Sequence, residues 1–120
     1  MKVVHIDNSK FFRNLFRVYL YDKGIRVESF ASGEQAMEIL QDGDVGLIIM
    51  GMVLTDMDGE DLIKRVTTSP YNIPVIILTS DTLEPEEDVL LEKLGVIAHF
   101  SKSGPWREQL IPYLDRYFPT

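Results

Sequence analysis

The sequence contains no cysteine. This absence excludes disulfide bonds, thiolate catalysis and zinc sites built from cysteine ligands. Long hydrophobic runs are also missing, because apolar stretches such as LIIMGM and PVIIL fall well short of the about 20 residues that a membrane-spanning helix needs. The N-terminal segment MKVVHIDNSKFF has no apolar core of the kind found in signal peptides. We therefore expect a soluble, cytoplasmic protein that has no membrane partner.

Positive charge is scarce, with 12 Lys and Arg residues against 19 Asp and Glu residues and a formal net charge of −7. Binding to a nucleic-acid backbone needs a basic face, so this composition argues against nucleic acid as a partner. The 120 residues are 45% hydrophobic and 26% charged, which is typical of one folded domain with its own core. We expect residues 1–120 to form that single domain.

Short apolar runs alternate with segments in which apolar residues recur at helical spacing. The run at residues 45–50 is apolar almost throughout, as is typical of a parallel strand covered on both faces. Alternation of this kind predicts an α/β fold, a doubly wound parallel sheet with helices on both faces. The five predicted strands are residues 3–6, 25–30, 45–50, 75–79 and 96–101.

Several residues mark the ends of the predicted helices. Gly24 is expected to follow the last turn of the first helix, and Ser32 with Gln35 has the spacing of a capping box at the start of the second. Pro85 and Pro105 suit the first turns of the fourth and fifth helices.

Polar residues and one glycine follow the predicted strands. In open parallel sheets, ligands bind outside the carboxyl ends of the strands. Residues in such places are candidates for a functional site: Asp7, Asn8, Gly51, Thr79, Ser80 and Lys102.

Four sequence landmarks at these positions carry a family resemblance. IDNS follows the first strand, MDG follows the third, LTS ends the fourth and SK ends the fifth. Together with FASGEQAMEIL and LGVIAHFSKS, they make essentially the whole chain resemble a response-regulator receiver domain of the chemotaxis type. The resemblance implies a flavodoxin-like sheet with strand order 2-1-3-4-5. It also implies a non-enzymatic role in two-component phosphorelay signalling.

The resemblance also implies roles for particular residues. Receivers accept a phosphoryl group on an aspartate after the third strand, beside a Mg²⁺ ion held by oxygen ligands. Asp7 matches the first acid of the metal-binding pair, and Asn8 stands where the second is usual. Thr79 matches the hydroxyl that reports phosphorylation, Lys102 matches the lysine that pairs with the phosphoryl group, and His99 occupies the aromatic switch position.

The phosphoacceptor is the main departure from this family pattern. In receivers it lies eight residues before the glycine of MDG, here Gly59, and that position is Gly51. A glycine has no carboxylate, so the resemblance identifies a degenerate receiver, or pseudo-receiver, that has lost its acceptor. With only Asp7 and Asn8 left as metal ligands, we expect at most a weak Mg²⁺ site and no other cofactor.

Each candidate residue has a structural alternative. Asp7 is either a metal ligand or an acid near a helix start, and Lys102 either binds an anion or pairs with Asp7, which we expect to lie within salt-bridge or single-water distance. Thr79 is either a switch or a hydroxyl that satisfies backbone groups at a strand end. His99 is either an interaction residue or an amphipathic side chain at a strand edge, and His5 is expected in the core.

Two further groups of residues have open alternatives. Asp56 and Asp58 are either substitute phosphoacceptors or turn and cap residues. Four aromatic residues near the C-terminus are either interface anchors or core: Trp106, Tyr113, Tyr117 and Phe118.

The favoured functional hypothesis is a protein-interaction module that does not depend on phosphorylation. The alternative is a working receiver that uses another acceptor, or that responds to a noncovalent anion near Lys102. An enzyme or cofactor binder on the same sheet is a third hypothesis. It is disfavoured because the sequence has no Ser/Thr/Gly-rich phosphate loop or DxD after the first strand, and no GxGxxG or Walker motif.

The resemblance places the protein-binding surface on the fourth helix, the fifth strand and the fifth helix. The fourth helix is acidic, and acidic surfaces favour basic partners that associate at salt-sensitive rates. Its acids are Glu84, Glu86, Glu87 and Asp88.

Overall fold

A computed structural model describes residues 1–119, in which five strands alternate with five helices. The strands are β1 (Lys2–Ile6), β2 (Val27–Phe30), β3 (Val45–Met50), β4 (Val75–Thr79) and β5 (Val96–Ser101). The helices are α1 (Lys10–Asp22), α2 (Gly33–Leu40), α3 (Gly59–Thr67), α4 (Pro85–Lys93) and α5 (Trp106–Tyr117). Within residues 1–119, no helix is long and apolar enough to cross a bilayer.

All neighbouring strands in the sheet run parallel, in the order β2-β1-β3-β4-β5. The predicted topology is therefore confirmed. The helix after each of the first four strands returns the chain to the edge of the sheet at which the next strand begins, so the carboxyl ends of all five strands meet at the opposite edge. That opposite edge carries the candidate functional site.

Helices cover both faces of the sheet and create two apolar clusters. One cluster lies between the sheet and α1 with α5, and the other lies between the sheet and α2, α3 and α4. The central strand β3 contributes to both, because Leu47 and Ile49 point into the first cluster and Ile48 and Met50 into the second. All four are fully buried, which explains why the segment is apolar without alternation.

The connection from α1 to β2 shows why the second strand begins later than its apolar pattern suggests. Gly24 has a φ of 73°, a conformation that glycine adopts easily, and it follows the cap residue Lys23. Its N–H donates to the carbonyl of Tyr21, and the N–H of Ile25 donates to that of Leu20. This is a Schellman motif, so Ile25 ends α1 instead of opening β2.

The helix starts agree with the sequence patterns in part. The Ser32 Oγ accepts the N–H of Gln35 at 3.3 Å, but residues 1–119 show no return bond from the Gln35 side chain to the Ser32 N–H, so only half of the predicted capping box forms. Pro85 occupies the first turn of α4, as predicted. Pro105 differs slightly, because it is the N-cap residue of α5, which begins at Trp106.

Candidate functional site

Most of the candidate residues come together where the strands end. Asp7 follows β1, Gly51 follows β3, Thr79 ends β4 and Lys102 follows β5. The Gly51 N–H donates to the carbonyl of Ile6 at 2.9 Å, and the Lys102 N–H donates to the carbonyl of Thr79 at 2.9 Å. These backbone bonds fix the strand ends relative to one another, so the side chains of the site are held by the sheet itself.

An ion pair between Asp7 and Lys102 forms the centre of this site. Lys102 Nζ lies 2.7 Å from Asp7 Oδ2, which is the close approach expected from the sequence. The Asp7 side chain is 1% exposed and that of Lys102 is 19% exposed. Asp7 Oδ1 accepts the N–H of Ser9 at 2.8 Å, whereas buried Oδ2 accepts no well-aligned hydrogen bond from residues 1–119. Its attraction to the ammonium is therefore mainly Coulombic.

The start of α1 surrounds this ion pair with contacts that the sequence reasoning missed. Ser9 is the N-cap of the helix, and its Oγ accepts the N–H of Phe12 at 3.2 Å. The ring of Phe12 lies 4.3 Å from Lys102 Nζ, and Arg13 Nη1 donates to the carbonyl of Asp7 at 2.6 Å. A serine before a helical pattern signals an N-cap. No local pattern signals the contacts of Phe12 and Arg13.

Gly51 occupies its position without any backbone requirement for glycine. Its φ lies outside the left-handed region, and an added Cβ would lie 3.5 Å from Asp7 Oδ2 and 3.8 Å from the carbonyl of Leu78. Both are ordinary van der Waals distances. Gly59 is different, since an added Cβ would lie 2.7 Å from the carbonyl of Met52. Gly59 is thus fixed by packing, whereas Gly51 has room for a side chain.

The residues at this edge do not fit a Mg²⁺ ion. The only buried carboxylate in the candidate set is Asp7, and both of its oxygens face positive or N–H groups; Asn8 is exposed. A bound cation would have to displace the ammonium of Lys102. Among residues 1–119, no cluster of three or more His, Cys, Asp and Glu side chains is arranged to hold a metal ion.

Asp56 and Asp58 lie in the loop after β3 and cap helices. The Asp56 carboxylate accepts the N–H groups of Gly33 and Glu34 at the start of α2, both at 2.9 Å. These two backbone hydrogen bonds, that from Glu34 foremost, lower the pKa of Asp56 below its usual value. Asp58 is the N-cap of α3, and its Oδ1 accepts the N–H of Glu60 at 3.0 Å. The cap and turn interpretation of both aspartates therefore has direct contacts in its favour.

Thr79 contacts the turn after β4, and His99 contacts α4. Thr79 is buried, and its Oγ1 accepts the N–H of Asp81 at 3.1 Å, which satisfies the turn after β4. His99 is exposed on β5, and its Nδ1 lies 2.9 Å from Oδ1 of Asp88 in α4. The histidine therefore joins the last strand to the acidic helix.

His5 lies in the core, as its place in the first strand suggested. Its ring stacks on Phe16 with centroids 4.2 Å apart, and its Nδ1 lies 3.3 Å from Ser29 Oγ. The Nε2 is buried and has no hydrogen-bond partner among residues 1–119. Burial is the main reason why the pKa of His5 falls from 6.5 to about 3. Neighbouring positive charges lower the pKa further: Lys102, Arg13 and Arg17.

The aromatic residues of the C-terminal segment belong to the core. Trp106 is buried between the rings of Phe12 and Tyr19, at centroid distances of 5.4 and 5.1 Å. The other three are half-buried and pack against the same cluster: Tyr113, Tyr117 and Phe118.

Comparisons with known proteins found relatives of this sequence. Sporulation initiation phosphotransferase F of Bacillus subtilis is 30% identical over 103 residues, which cover 84% of this chain and 81% of that protein. Heme response regulator HssR of Staphylococcus epidermidis is 30% identical over 87 residues, covering 72% of this chain but only 38% of that longer protein.

Solved structures show the same fold. Chemotaxis protein CheY4 of Vibrio cholerae is 28% identical, covers 98% of both chains and superposes with a TM-score of 0.84. The receiver domain of Klebsiella pneumoniae RstA, at 20% identity and full coverage of both chains, superposes with a TM-score of 0.86. The sequence model of the family described as response regulator receiver domain matches residues 3–111. The chain therefore belongs to the family of response regulator receiver domains.

Proposed function

We propose that this receiver domain is a non-enzymatic protein-interaction module that works without phosphorylation. The observation that carries the proposal is Gly51, which stands after β3, beside Asp7, where the family resemblance places the acceptor. Phosphoryl transfer to a receiver needs a carboxylate in line with the phosphorus atom. Gly51 supplies none, although the space around its Cα would admit one.

Neither nearby aspartate is a convenient substitute acceptor. Asp56 holds two N–H groups of α2, and Asp58 holds one of α3. Moving either carboxylate to the site at the carboxyl ends of the strands would break these caps, each of which contributes about 1 kcal/mol to helix stability. A noncovalent anion meets a comparable obstacle, because Lys102 is already engaged by Asp7. Both observations favour a site that neither accepts a phosphoryl group nor binds an anion.

Beryllofluoride tests this proposal, because it mimics a phosphoryl group when an aspartate oxygen binds the beryllium. With Mg²⁺ and beryllofluoride, the amide resonances of Thr79 and Lys102 are expected to stay unchanged in the natural protein and in Gly51→Ala. In Gly51→Asp, a carboxylate returns beside Asp7, and the same resonances are expected to shift. Shifts of the natural protein as large as those of Gly51→Asp would overturn the proposal.

The protein-binding surface of the proposed module is formed by α4, β5 and α5. Receiver domains interact with proteins such as kinases and effectors, and this face combines exposed apolar and acidic side chains. A cavity of about 300 Å³ opens here beside Leu83, His99 and Gln109. The exposed apolar residues of the three elements are Val89, Leu90, Ile97 and Ile111. A basic partner with apolar anchors suits this surface.

Glu86 provides the cleanest charge test of this surface. Glu87 Oε1 accepts the N–H of Glu84 at the start of α4, and Asp88 pairs with His99, so changes at those positions would also alter local structure. Replacement of Glu86 by lysine is expected to slow association with a basic protein partner by about tenfold at low salt. The exposed Glu38 of α2 serves as control, since Glu38→Lys should leave the rate unchanged. Equal effects of both substitutions would refute the assignment of the surface.

A further inference from the structure

A groove beside β2 lies outside the site at the strand ends and outside the α4–β5–α5 surface. Its volume is about 690 Å³. Arg17, Val18 and Tyr21 of α1 form one wall, and residues 25–28 form the other. Side chains alternate between the two faces of a sheet, so a groove that contacts four successive residues runs along the edge of the strand.

The edge of β2 is open for pairing. In the sheet formed by residues 1–119, β1 is the only strand neighbour of β2. The carbonyls of Arg26 and Phe30 accept the N–H groups of Val3 in β1 and of Asp7 just after it. By alternation along the strand, the backbone N–H and C=O groups of Val27 and Ser29 point away from β1, towards the open side of β2; Val27 lines the groove and Ser29 lies just beyond it. An edge of this kind is a template for an added strand.

The helix wall of the groove carries two uncovered apolar side chains beside Arg17. Val18 is 59% exposed and Tyr21 is 82% exposed, although both are large hydrophobic residues. They lie three positions apart on α1 and therefore on one face of the helix. Apolar side chains of an added strand would find contact area there.

The groove is also the basic part of an acidic protein. The segment 10–28 contains five of the 12 Lys and Arg residues but only two of the 19 acids, and one of those, Glu28, is paired with Lys2 at 2.9 Å. Arg17 and Arg26 line the groove together with Glu28. Arg26 Nη1 also lies 3.7 Å from Asp44 Oδ2, but both side chains are exposed, so this pair is weak and leaves the arginine open to other carboxylates. A second copy of the chain would bring two such basic rims together, so charge disfavours self-association here.

We propose that the groove binds an extended, acidic segment of a partner protein, which adds to the outer edge of β2 as a strand. The main-chain groups of Val27 and Ser29 would pair with the segment, as in other complexes formed by strand addition. Its carboxylates would face Arg17 and Arg26, and its apolar side chains would rest on Val18 and Tyr21. This surface is distinct from the one in the proposed function and does not depend on the state of the site at Gly51.

A synthetic peptide tests the proposal directly. The probe is a capped peptide about eight residues long, the length of an ordinary strand, in which aspartate alternates with valine and tyrosine. Titration up to about 1 mM, followed by amide resonances, is expected to shift Val27, Ser29 and their neighbours on α1. The double substitution Arg17→Glu and Arg26→Glu should weaken binding at least tenfold. Phe11→Ala should not, because Phe11 is 77% exposed on α1 but does not line the groove.

Two controls make the outcome decisive. The same peptide with every central amide N-methylated keeps its charges and side chains but cannot pair as a strand, so it should not bind. A peptide in which lysine replaces every aspartate and the residue order is scrambled should not bind either. Equal binding of the N-methylated peptide, shifts confined to the α4–β5–α5 surface, a dimer formed through the groove, or no shift at Val27 and Ser29 would each contradict the proposal.

Discussion

Replacement of Lys102 by methionine should lower the free energy of unfolding by about 3 kcal/mol. The substitution keeps an unbranched apolar side chain against Phe12 but removes the ammonium 2.7 Å from Asp7 Oδ2. Asp7 is 1% exposed, so its carboxylate would be left buried with only the N–H of Ser9 as a close partner. Because Lys102 itself is 19% exposed, water can enter part of the vacated space, which keeps the loss at the lower end of the range for buried pairs. Chemical denaturation measures the change.

Two further variants distinguish the loss of the ion pair from the general effect of replacing a lysine by methionine. Lys10 is exposed at the start of α1, and Lys10→Met should change the free energy of unfolding by no more than about 0.5 kcal/mol. Asp7→Asn combined with Lys102→Met removes both charges, and it should cost less than the sum of the single changes by about 1 to 3 kcal/mol. Additive effects would mean that Asp7 and Lys102 do not stabilise one another.

Acidification from pH 7 to pH 4 should cost about 3 kcal/mol of stability through His5 alone. The pKa of this histidine is about 3 in the folded protein and 6.5 in the unfolded chain. Between those values the unfolded chain binds a proton that the folded protein does not bind. The stability contribution is thus complete above pH 6.5 and is lost progressively as the pH falls towards 3, by about 1.4 kcal/mol per pH unit.

The variant His5→Phe isolates this contribution, since other groups also titrate in acid. Phenylalanine keeps the stacking on Phe16 and removes the titrating ring. The slope of the free energy of unfolding against pH between 6 and 4 should therefore fall by about 1.4 kcal/mol per pH unit, which corresponds to one proton. Phe16→Leu is the control, because it alters the same stacked pair but keeps the titrating ring, and it should retain the slope of the natural protein. Equal slopes for His5→Phe and the natural protein would show that His5 is not the group held neutral by burial.

The sequence predicted the fold well because local signals and the hydrophobic pattern agreed at most positions. The unbroken apolar run of β3, the glycine after α1 and the serine before α2 each describe a local requirement that the structure meets. The late start of β2 was not predicted, because Ile25 has the side chain of a strand residue but its N–H closes the last turn of α1. A backbone hydrogen bond of this kind leaves no mark in the hydrophobic pattern.

The candidate site was predictable as far as its residues lie directly after strands. The parallel sheet brings Asp7, Gly51, Thr79 and Lys102 to one edge, so their strand positions sufficed to group them. Contacts made by side chains that reach across the chain were not predictable. Asp56 caps a helix that starts 23 residues earlier, which no pattern around it reveals. The orphaned Nε2 of His5 likewise depends on packing between β1 and α1.

The measurement that tests the central claim most directly is the intact mass of the protein after incubation with acetyl phosphate and Mg²⁺. The natural protein and Gly51→Ala should show no phosphorylated species, because neither has a carboxylate at position 51. Gly51→Asp has room for its Cβ, at 3.5 Å from Asp7 Oδ2, and should acquire a phosphoryl group that is lost in hydroxylamine. A phosphorylated natural protein, formed as fast as phosphorylated Gly51→Asp, would contradict the claim that this receiver domain works without phosphorylation.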